Sequence, residues 1–514
     1  MPPIGALPRV AVALGFASAA SLLEHACEEA EAGEGFLEFR LDHLERPQEG
    51  PSVIKRFLKQ HPGCLVLATC RRRQNHGCFD GSVEEQVRML EAAIAAGAPA
   101  VDLEIESAEA APAAPARLRE RAALVLSYHN FQVTPALEPI YRRLTRIPAD
   151  LYKLVTTARK PSDNQRLLWL ARTYARSPLV VLAMGPTGVP SRVLGPAFGC
   201  RYTYAAPRTA EGTAPGQLSA YQLRHLYRIE KLSRKTRIYG VIADPIGHSI
   251  SPAVHNRAFQ ARRFDGVYLP FHVPGGQLKD FMNLAENLPV AGFSVTIPHK
   301  QKIVRYLDAV DPLARRIGAV NTVWRRAARW RGANTDTDGV RVPLERRLRL
   351  AGASVLLVGN GGAARGAAFT LADAGAKLAI VGRNPDRVRA LAKACGAEAL
   401  LREHLASRHF DVLIYATPLG MFPKVNECFF SGDIPAEIVF DMVYNPAETL
   451  LIRRAREQGK QVICGLEMFN EQAARQFEIW TGQPAPRAAM ERAAREALAE
   501  GRHIMSTSDH ETHA

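Results

Sequence analysis

Three places in this 514-residue chain hold side chains whose types and spacing can do chemistry. The first is Lys153, which sits in the apolar run LYKLV and shares a face with Leu151 and Val155 if that run is a strand. An inward lysine in a barrel is desolvated, and desolvation drives an amine toward the neutral form that attacks ketones. The alternative is a structural lysine paired with an inward carboxylate, Glu38 or Glu104. The second place joins Lys300 in SVTIPHK to Asp336 in ANTDTDG, a candidate proton-transfer pair. The third is VLLVGNGGAAR, residues 355–365, where an apolar run breaks into glycines. Gly359, Gly361 and Ala364 fit the GxGxxG/A spacing, in which a strand turns into a helix whose N-terminus, with Gly362 and Ala363, faces a pyrophosphate.

The strand after that loop ends VGRNPDR, residues 381–387. A site for NAD would offer the ribose an acid here. Arg383 and Arg387, with Asn384 between them, offer guanidinium groups to a 2′-phosphate, so NADP is the expected cofactor, with Asp386 neutralised by Arg387.

The elements that must position these groups can be counted. Eight β-rich runs alternate with helical stretches: VAVALG, FLEFRLD, LVLATC, AVDLEI, ALVLSY, LYKLV, LVVLAM and RYTY, between residues 10 and 204. That is the expectation for a (β/α)8 barrel, whose chemistry lies at strand C-terminal ends. Glu38, Arg40, Arg71, Asp102, Glu104, His129 and Lys153 occupy such places. Residues 216–237 read as a final amphipathic helix and a basic exit, which puts a boundary near Lys235. IYGVIAD, VYLPFHV, AGFSVTI and AVNTVW then form a second α/β pattern, expected to be a substrate-binding domain over residues 236–337. Ser249 and Ser251, Thr296, and Asn321 lie at its strand ends, where hydroxyls and amides can line a polyol site; taken singly, each cluster also reads as ordinary turn chemistry. SVLLVG, KLAIVG, DVLIYAT, EIVFDMV and QVICG make a Rossmann domain over residues 338–484. Helices within 466–500 are expected to pack back toward the substrate domain, and residues 501–514 read as a polar tail.

Composition narrows the function classes. Hydrophobic residues at 47% and charged residues at 23% are ordinary globular values, and no apolar run is long enough to span a bilayer. The eight cysteines contain no CxxC pair, so neither a disulfide framework nor a metal site is indicated and a reducing cytoplasm is expected. Residues 10–21 have an apolar core followed by small residues, but only Arg9 is basic upstream and an acidic helical stretch, Glu24 to Glu34, follows directly, so they read as the start of a strand-then-helix unit and not as a secretion signal. The net charge of +15 comes from scattered arginines and two clusters, residues 324–331 and 341–349, a basic surface suited to anionic small molecules and lacking a nucleic-acid reading motif.

Two resemblances sharpen these readings. FLEFRLDHL, SYHNFQVTP, ADLYKLV, GVPSRVLGPAFG and TAPGQ occur in the order found in type I 3-dehydroquinate dehydratases, and this resemblance covers the whole first half. It implies that Lys153 forms an imine with the substrate ketone and that His129 moves the proton. It further implies that Glu38, Arg40, Arg71, Arg192, Thr213 and Gln217 hold the substrate, with Arg192 on its carboxylate. One departure stands out: where the family pattern has a glutamate before two glycines, this chain has Asn75, His76 and Gly77. Asn75 cannot favour an imidazolium by charge.

HSISPAVHN, SVTIPHK, AVNT and ANTDTDG, together with DMVYNPAET and FNEQAARQFEIWTG, resemble the shikimate dehydrogenase family from Tyr239 to about Gly482. That resemblance implies that Ser249, Ser251, Thr296, Asn321 and Gln472 hold the substrate, with Tyr444 close by and Lys300 and Asp336 as the catalytic pair. It also implies that Thr417 and Gly465 complete the nicotinamide side. The expected protein is a bifunctional enzyme that dehydrates 3-dehydroquinate and reduces 3-dehydroshikimate to shikimate with NADPH. Two rivals are a quinate/shikimate dehydrogenase with a weak dehydratase half and a non-catalytic metabolite-sensing homologue.

Overall fold

The computed structural model describes residues 7–209, 212–247, 249–421 and 424–508, with the side chains of 406 and 500–508 left out. Eight strands form the first sheet: β1 Val10–Leu14, β2 Phe36–Arg40, β3 Leu65–Thr69, β4 Ala100–Glu104, β5 Ala123–His129, β6 Leu151–Thr157, β7 Leu179–Met184 and β8 Thr203–Ala205. Their order is β7-β6-β5-β4-β3-β2-β1-β8, a parallel sheet curled into a nearly closed barrel with helices between successive strands. The strands are almost wholly buried, as strands covered on one side by helices and filled on the other by side chains must be. Leu151 and Val155 point into the barrel core with Val125, Val180, Tyr202 and Tyr204, which sets Lys153 between them on the same inward face.

The final barrel helix read from residues 216–237 is shorter than expected. Gln222–Leu226 forms a π-helical turn and Ile229–Lys231 a 3-10 turn, separated by Arg228 at φ 54, a left-handed residue that ends helical winding. Leu223 and Ile229 are still fully buried, so the apolar pattern was real and the continuous helix was not.

β9 Arg237–Ala243, β10 Gly266–His272, β11 Val290–Val295, β12 Ala309–Val310, β13 Thr322–Arg326 and β14 Arg329–Ala333 form a mixed sheet of order β10-β9-β11-β13-β14-β12. The third sheet comprises β15 Ser354–Val358, β16 Lys377–Val381, β17 Glu398–Ala399, β18 Phe410–Tyr415, β19 Ala436–Asp441 and β20 Gln461–Ile463. Its order, β17-β16-β15-β18-β19-β20, is parallel throughout and reverses between β15 and β18, the crevice where doubly wound sheets bind dinucleotides. Apolar cores cover both faces of that sheet. Helix Gly465–Thr481 packs Phe469, Phe477 and Trp480 onto Tyr239, Val254 and Tyr268 of the mixed-sheet domain.

By packing, the chain divides into two compact units: residues to Arg237 together with Leu269–Pro289, and Ile238–Tyr268 together with the chain from Val290 on. The C-terminal helix runs from Arg487 to Ser508, so the expected tail is helical over its first residues; residues 509–514 lie outside the described residues. Among the described residues no helix is long and apolar enough to cross a membrane.

Candidate functional site

In the barrel, Lys153 is 3% exposed, with Nζ 3.0 Å from Asp102 Oδ2, 3.2 Å from Glu38 Oε1 and 4.1 Å from the centre of the Tyr204 ring. Burial therefore does not act on this amine alone. Two carboxylates and an aromatic face hold it, and the second carboxylate is Asp102, where the sequence suggested Glu104. Burial alone would raise the Asp102 carboxyl, but the Lys153 and Arg71 charges and the Ser127 hydroxyl, 2.6 Å away, bring it below its usual range. Glu104, two residues on and so on the same strand face, instead accepts from Gln86 (2.6 Å) and Arg71 (3.2 Å); burial pushes it up to about 7.

His129 ends β5, half-buried, with Nδ1 buried and unbonded. Burial first, then the charges of Arg71, Lys153 and Arg40, push the imidazole well below its usual range, so it is neutral near pH 7 and can accept a proton. Arg40 forks onto Asp42 through Nε and Nη2 at 2.9 and 2.8 Å. Arg192 differs from these two arginines. It is 1% exposed; among the described residues its Nε has no partner, its Nη2 reaches only the Pro215 carbonyl at 3.5 Å, and no carboxylate pairs with it. Burial pushes its guanidinium down to about 10. Thr213 and Gln217 are half-buried, and Gln217 Oε1 accepts from Ala214 N at 3.2 Å and from Thr213 Oγ1 at 3.5 Å. Asn75 lies in a short 3-10 turn with a buried, unpartnered Nδ2, and no hydrogen bond joins it to His129. Asp42, His43 and Cys78 bring ligand-type atoms within 4.8 Å of one another, but Asp42 is already committed to Arg40.

In the second unit Lys300 Nζ lies 2.7 Å from Asp336 Oδ2, at the start of helix Asp336–Glu345. Asn321 Nδ2 donates to Asp336 Oδ1 at 2.8 Å, while its Oδ1 accepts from Thr335 N and Thr322 Oγ1, both at 2.7 Å. The pair is thus fixed at both carboxylate oxygens. Ser249 and Thr296 sit half-buried at the ends of loops; Ser249 Oγ accepts from Ser251 N at 3.4 Å, and Thr296 N donates to Ile242 O at 3.2 Å. Tyr444 lies 5.2 Å from the Phe469 ring, and burial raises its phenol. Gln472 donates only to Phe469 O, at 3.1 Å. Sequence reasoning missed Gln476, one turn beyond it on the same helical face. Gln476 accepts from Ser294 (2.8 Å) and donates to Thr322 (3.1 Å), backing the residues that hold Asn321.

The dinucleotide loop can be tested residue by residue. Gly359 adopts φ +132, and a Cβ there would lie 2.4 Å from Ala416 O, so only glycine lets β15 turn this close to β18. Gly361, Gly362 and Ala363 are exposed at the start of helix Gly362–Asp373, and a Cβ on either glycine would meet nothing within 4 Å. Ala364 is buried and packs the helix on the sheet. That leaves an open helix N-terminus for phosphates at the switch point, so a dinucleotide fits. Asn384 caps the next helix through Arg387 N at 3.0 Å, and Asn360 Nδ2 bonds Asn384 O at 3.2 Å, tying the two loops together. Asp386 pairs with Arg389, not with Arg387 as expected, because i,i+3 residues are neighbours on a helix and adjacent ones are not. Arg383 and Arg387 are therefore exposed without an acidic partner among the described residues. Thr417 Oγ1 accepts from Leu419 N at 3.3 Å, a local bond within the loop that follows β18. Gly465 is a packing glycine, since a Cβ would lie 2.3 Å from Val443 O.

These features define a lysine-centred lyase barrel followed by a dinucleotide-dependent oxidoreductase. Known proteins agree. The profile described as type I 3-dehydroquinase matches residues 10–234; shikimate dehydrogenase substrate binding domain, shikimate/quinate 5-dehydrogenase and shikimate 5′-dehydrogenase C-terminal domain match 241–323, 344–420 and 465–495. The chain is 36% identical over 484 residues to the bifunctional 3-dehydroquinate dehydratase/shikimate dehydrogenase, chloroplastic, of Arabidopsis thaliana, covering 89% of this chain and 79% of that one. It is 35% identical to the shikimate biosynthesis protein AroDE of Chlamydia pneumoniae, covering 70% and 73%. The shikimate dehydrogenase (NADP(+)) of Moorella thermoacetica is 39% identical, over 52% of this chain and 96% of its own. The chain belongs to the bifunctional 3-dehydroquinate dehydratase/shikimate dehydrogenase family.

Proposed function

We propose that the two units catalyse consecutive reactions: dehydration of 3-dehydroquinate in the barrel and reduction of the resulting 3-dehydroshikimate to shikimate, with NADPH, in the second unit. The observation that carries this reading is the pair of carboxylate-held lysines, Lys153 in one unit and Lys300 in the other, each 3.0 Å or less from its aspartate.

In the barrel, Lys153 passes a proton to a flanking carboxylate and attacks the substrate ketone, expelling water and forming an imine. Electron withdrawal by the imine acidifies the neighbouring carbon enough for a neutral imidazole, and His129 takes that proton. His129 returns it to the leaving hydroxyl, which departs as water, and a further water hydrolyses the imine to free Lys153. Arg192, buried without a counter-ion among the described residues, receives the substrate carboxylate. Glu38, Arg40, Arg71, Thr213 and Gln217 hold the remaining groups.

When bound in the second unit, NADPH would supply the hydride for reduction of the ketone. Lys300, held by Asp336, donates the proton to the ketone oxygen, and Ser249, Ser251, Thr296, Asn321, Tyr444 and Gln472 line the substrate. Gly359, Gly361, Gly362, Ala363 and Ala364 form the phosphate turn, and Arg383 and Arg387 with Asn384 take the 2′-phosphate. Thr417 and Gly465 bound the nicotinamide side. The eight cysteines, all unpaired, support a cytoplasmic enzyme. The test is to supply the full chain with 3-dehydroquinate and NADPH: shikimate should accumulate with stoichiometric cofactor oxidation, and failure to oxidise NADPH when 3-dehydroshikimate is given directly removes the second reaction.

A further inference from the structure

The loop after β3, residues 71–79, is tied down at its base and pinned at its tip. Phe79 N donates to Arg71 O (3.1 Å), Arg73 N to Phe79 O (2.8 Å) and Cys78 N to Asp42 Oδ2 (3.1 Å), so the base is fastened to Arg71 and, through Asp42, to Arg40. Gly77 lies so close that a Cβ would sit 2.1 Å from the Arg71 carbonyl oxygen. His76, at the tip, adopts φ 59 and ψ 33, a left-handed conformation that residues with a Cβ rarely take. Such strain persists where surrounding contacts repay it. The contact here is Phe131: the His76 ring centre lies 4.4 Å from that of Phe131, which in turn stacks on His129 at 6.0 Å. Phe131 is itself on a locked turn, because Asn130 Oδ1 accepts from Gln132 N and Val133 N at 3.0 and 2.9 Å. His76 also adds to the field of charges that lowers the His129 imidazole.

We propose that His76 is a positioning residue of the dehydratase half, its ring clasped to Phe131 so that the loop carrying Arg71 and Asn75 is held in register with the strand end carrying His129. The loop presents Asn75, whose buried Nδ2 has no partner among the described residues and is a donor that a substrate oxygen can satisfy. The inference rests on the barrel being the dehydratase proposed above.

The test compares His76→Gly with His76→Phe in the full chain. Glycine adopts the left-handed backbone without strain, so His76→Gly should fold with an unchanged thermal midpoint while losing the ring. An aromatic pair stabilises by roughly 0.5–1.5 kcal/mol, so dehydratase kcat/KM should fall about three- to tenfold in His76→Gly and return to within about twofold in His76→Phe, with reductase activity unaltered. Borohydride reduction in the presence of 3-dehydroquinate should still trap substrate on Lys153 in both variants, separating positioning from imine formation. Turnover of His76→Gly equal to that of the unsubstituted chain would overturn the clasp, and so would failure of phenylalanine to restore what glycine loses. Absence of a trapped adduct in the unsubstituted chain would count against the imine reading instead, and the glycine-to-phenylalanine ratio of turnover would still decide the clasp.

Discussion

Arg192 gives a prediction in which stability and activity move in opposite directions. Its guanidinium is 1% exposed, has no carboxylate partner among the described residues, and is pushed by burial from the ordinary arginine range down to about 10. At about 1.4 kcal/mol per unit, keeping this charge in the fold costs on the order of 3 kcal/mol. Because a base is depressed, the penalty is fully present below pH 10 and fades as pH rises from there toward the ordinary arginine range. Arg192→Met, which fills similar volume without charge, should therefore stabilise the free protein at pH 7 by about 1–3 kcal/mol and raise the thermal midpoint of the barrel by a few degrees. The same substitution removes the cation assigned to the substrate carboxylate. Truncating one partner of a buried charge pair costs about 2–5 kcal/mol, so KM for 3-dehydroquinate should rise by roughly a hundredfold. Thermal unfolding with and without substrate, beside steady-state kinetics, reads both effects. A variant that is less stable when free and unchanged in KM would refute the reasoning, because Arg192 would then have a structural partner.

The neutral state of His129 predicts that the acid limb of the dehydratase kcat/KM profile lies below pH 6.5, since protonation is opposed by burial and by Arg71, Lys153 and Arg40; a limb at or above pH 7 would contradict this. Exposed and unpaired, Arg383 and Arg387 should each matter for NADPH and little for NADH. Replacing both with serine should raise KM for NADPH about ten- to a hundredfold and leave that for NADH within about threefold. Gly359→Ala forces a Cβ to 2.4 Å from Ala416 O at φ +132, so it should abolish measurable NADPH binding by fluorescence titration while the barrel reaction continues.

Much of the fold was legible because period and punctuation were unambiguous. Each of the eight β-rich runs became a barrel strand, and the last began two residues later than Arg201, at Thr203. The hairpin of β13 and β14 was hidden. Its two-residue turn is Ala327-Ala328, with φ 49 and 62 where Asn-Gly would have signalled a tight turn, and its charged strands read as a basic cluster. In the sites, residue types at strand ends were readable, but partner choice was not. Asp102 rather than Glu104 holds Lys153, Arg389 rather than Arg387 holds Asp386, and Gln476 backs Asn321. Each depends on which of two residues two to four positions apart in the chain reaches the partner, and only the folded register decides that.

The central claim, two lysine-dependent reactions in one chain, is tested most directly by a crossed pair of variants assayed on 3-dehydroquinate with NADPH. Lys153→Ala should neither form 3-dehydroshikimate nor oxidise NADPH, yet should reduce supplied 3-dehydroshikimate at the unsubstituted rate. Lys300→Met should accumulate 3-dehydroshikimate with cofactor oxidation slowed by about a hundredfold or more. Normal dehydration by Lys153→Ala, or normal cofactor oxidation by Lys300→Met, would contradict the account.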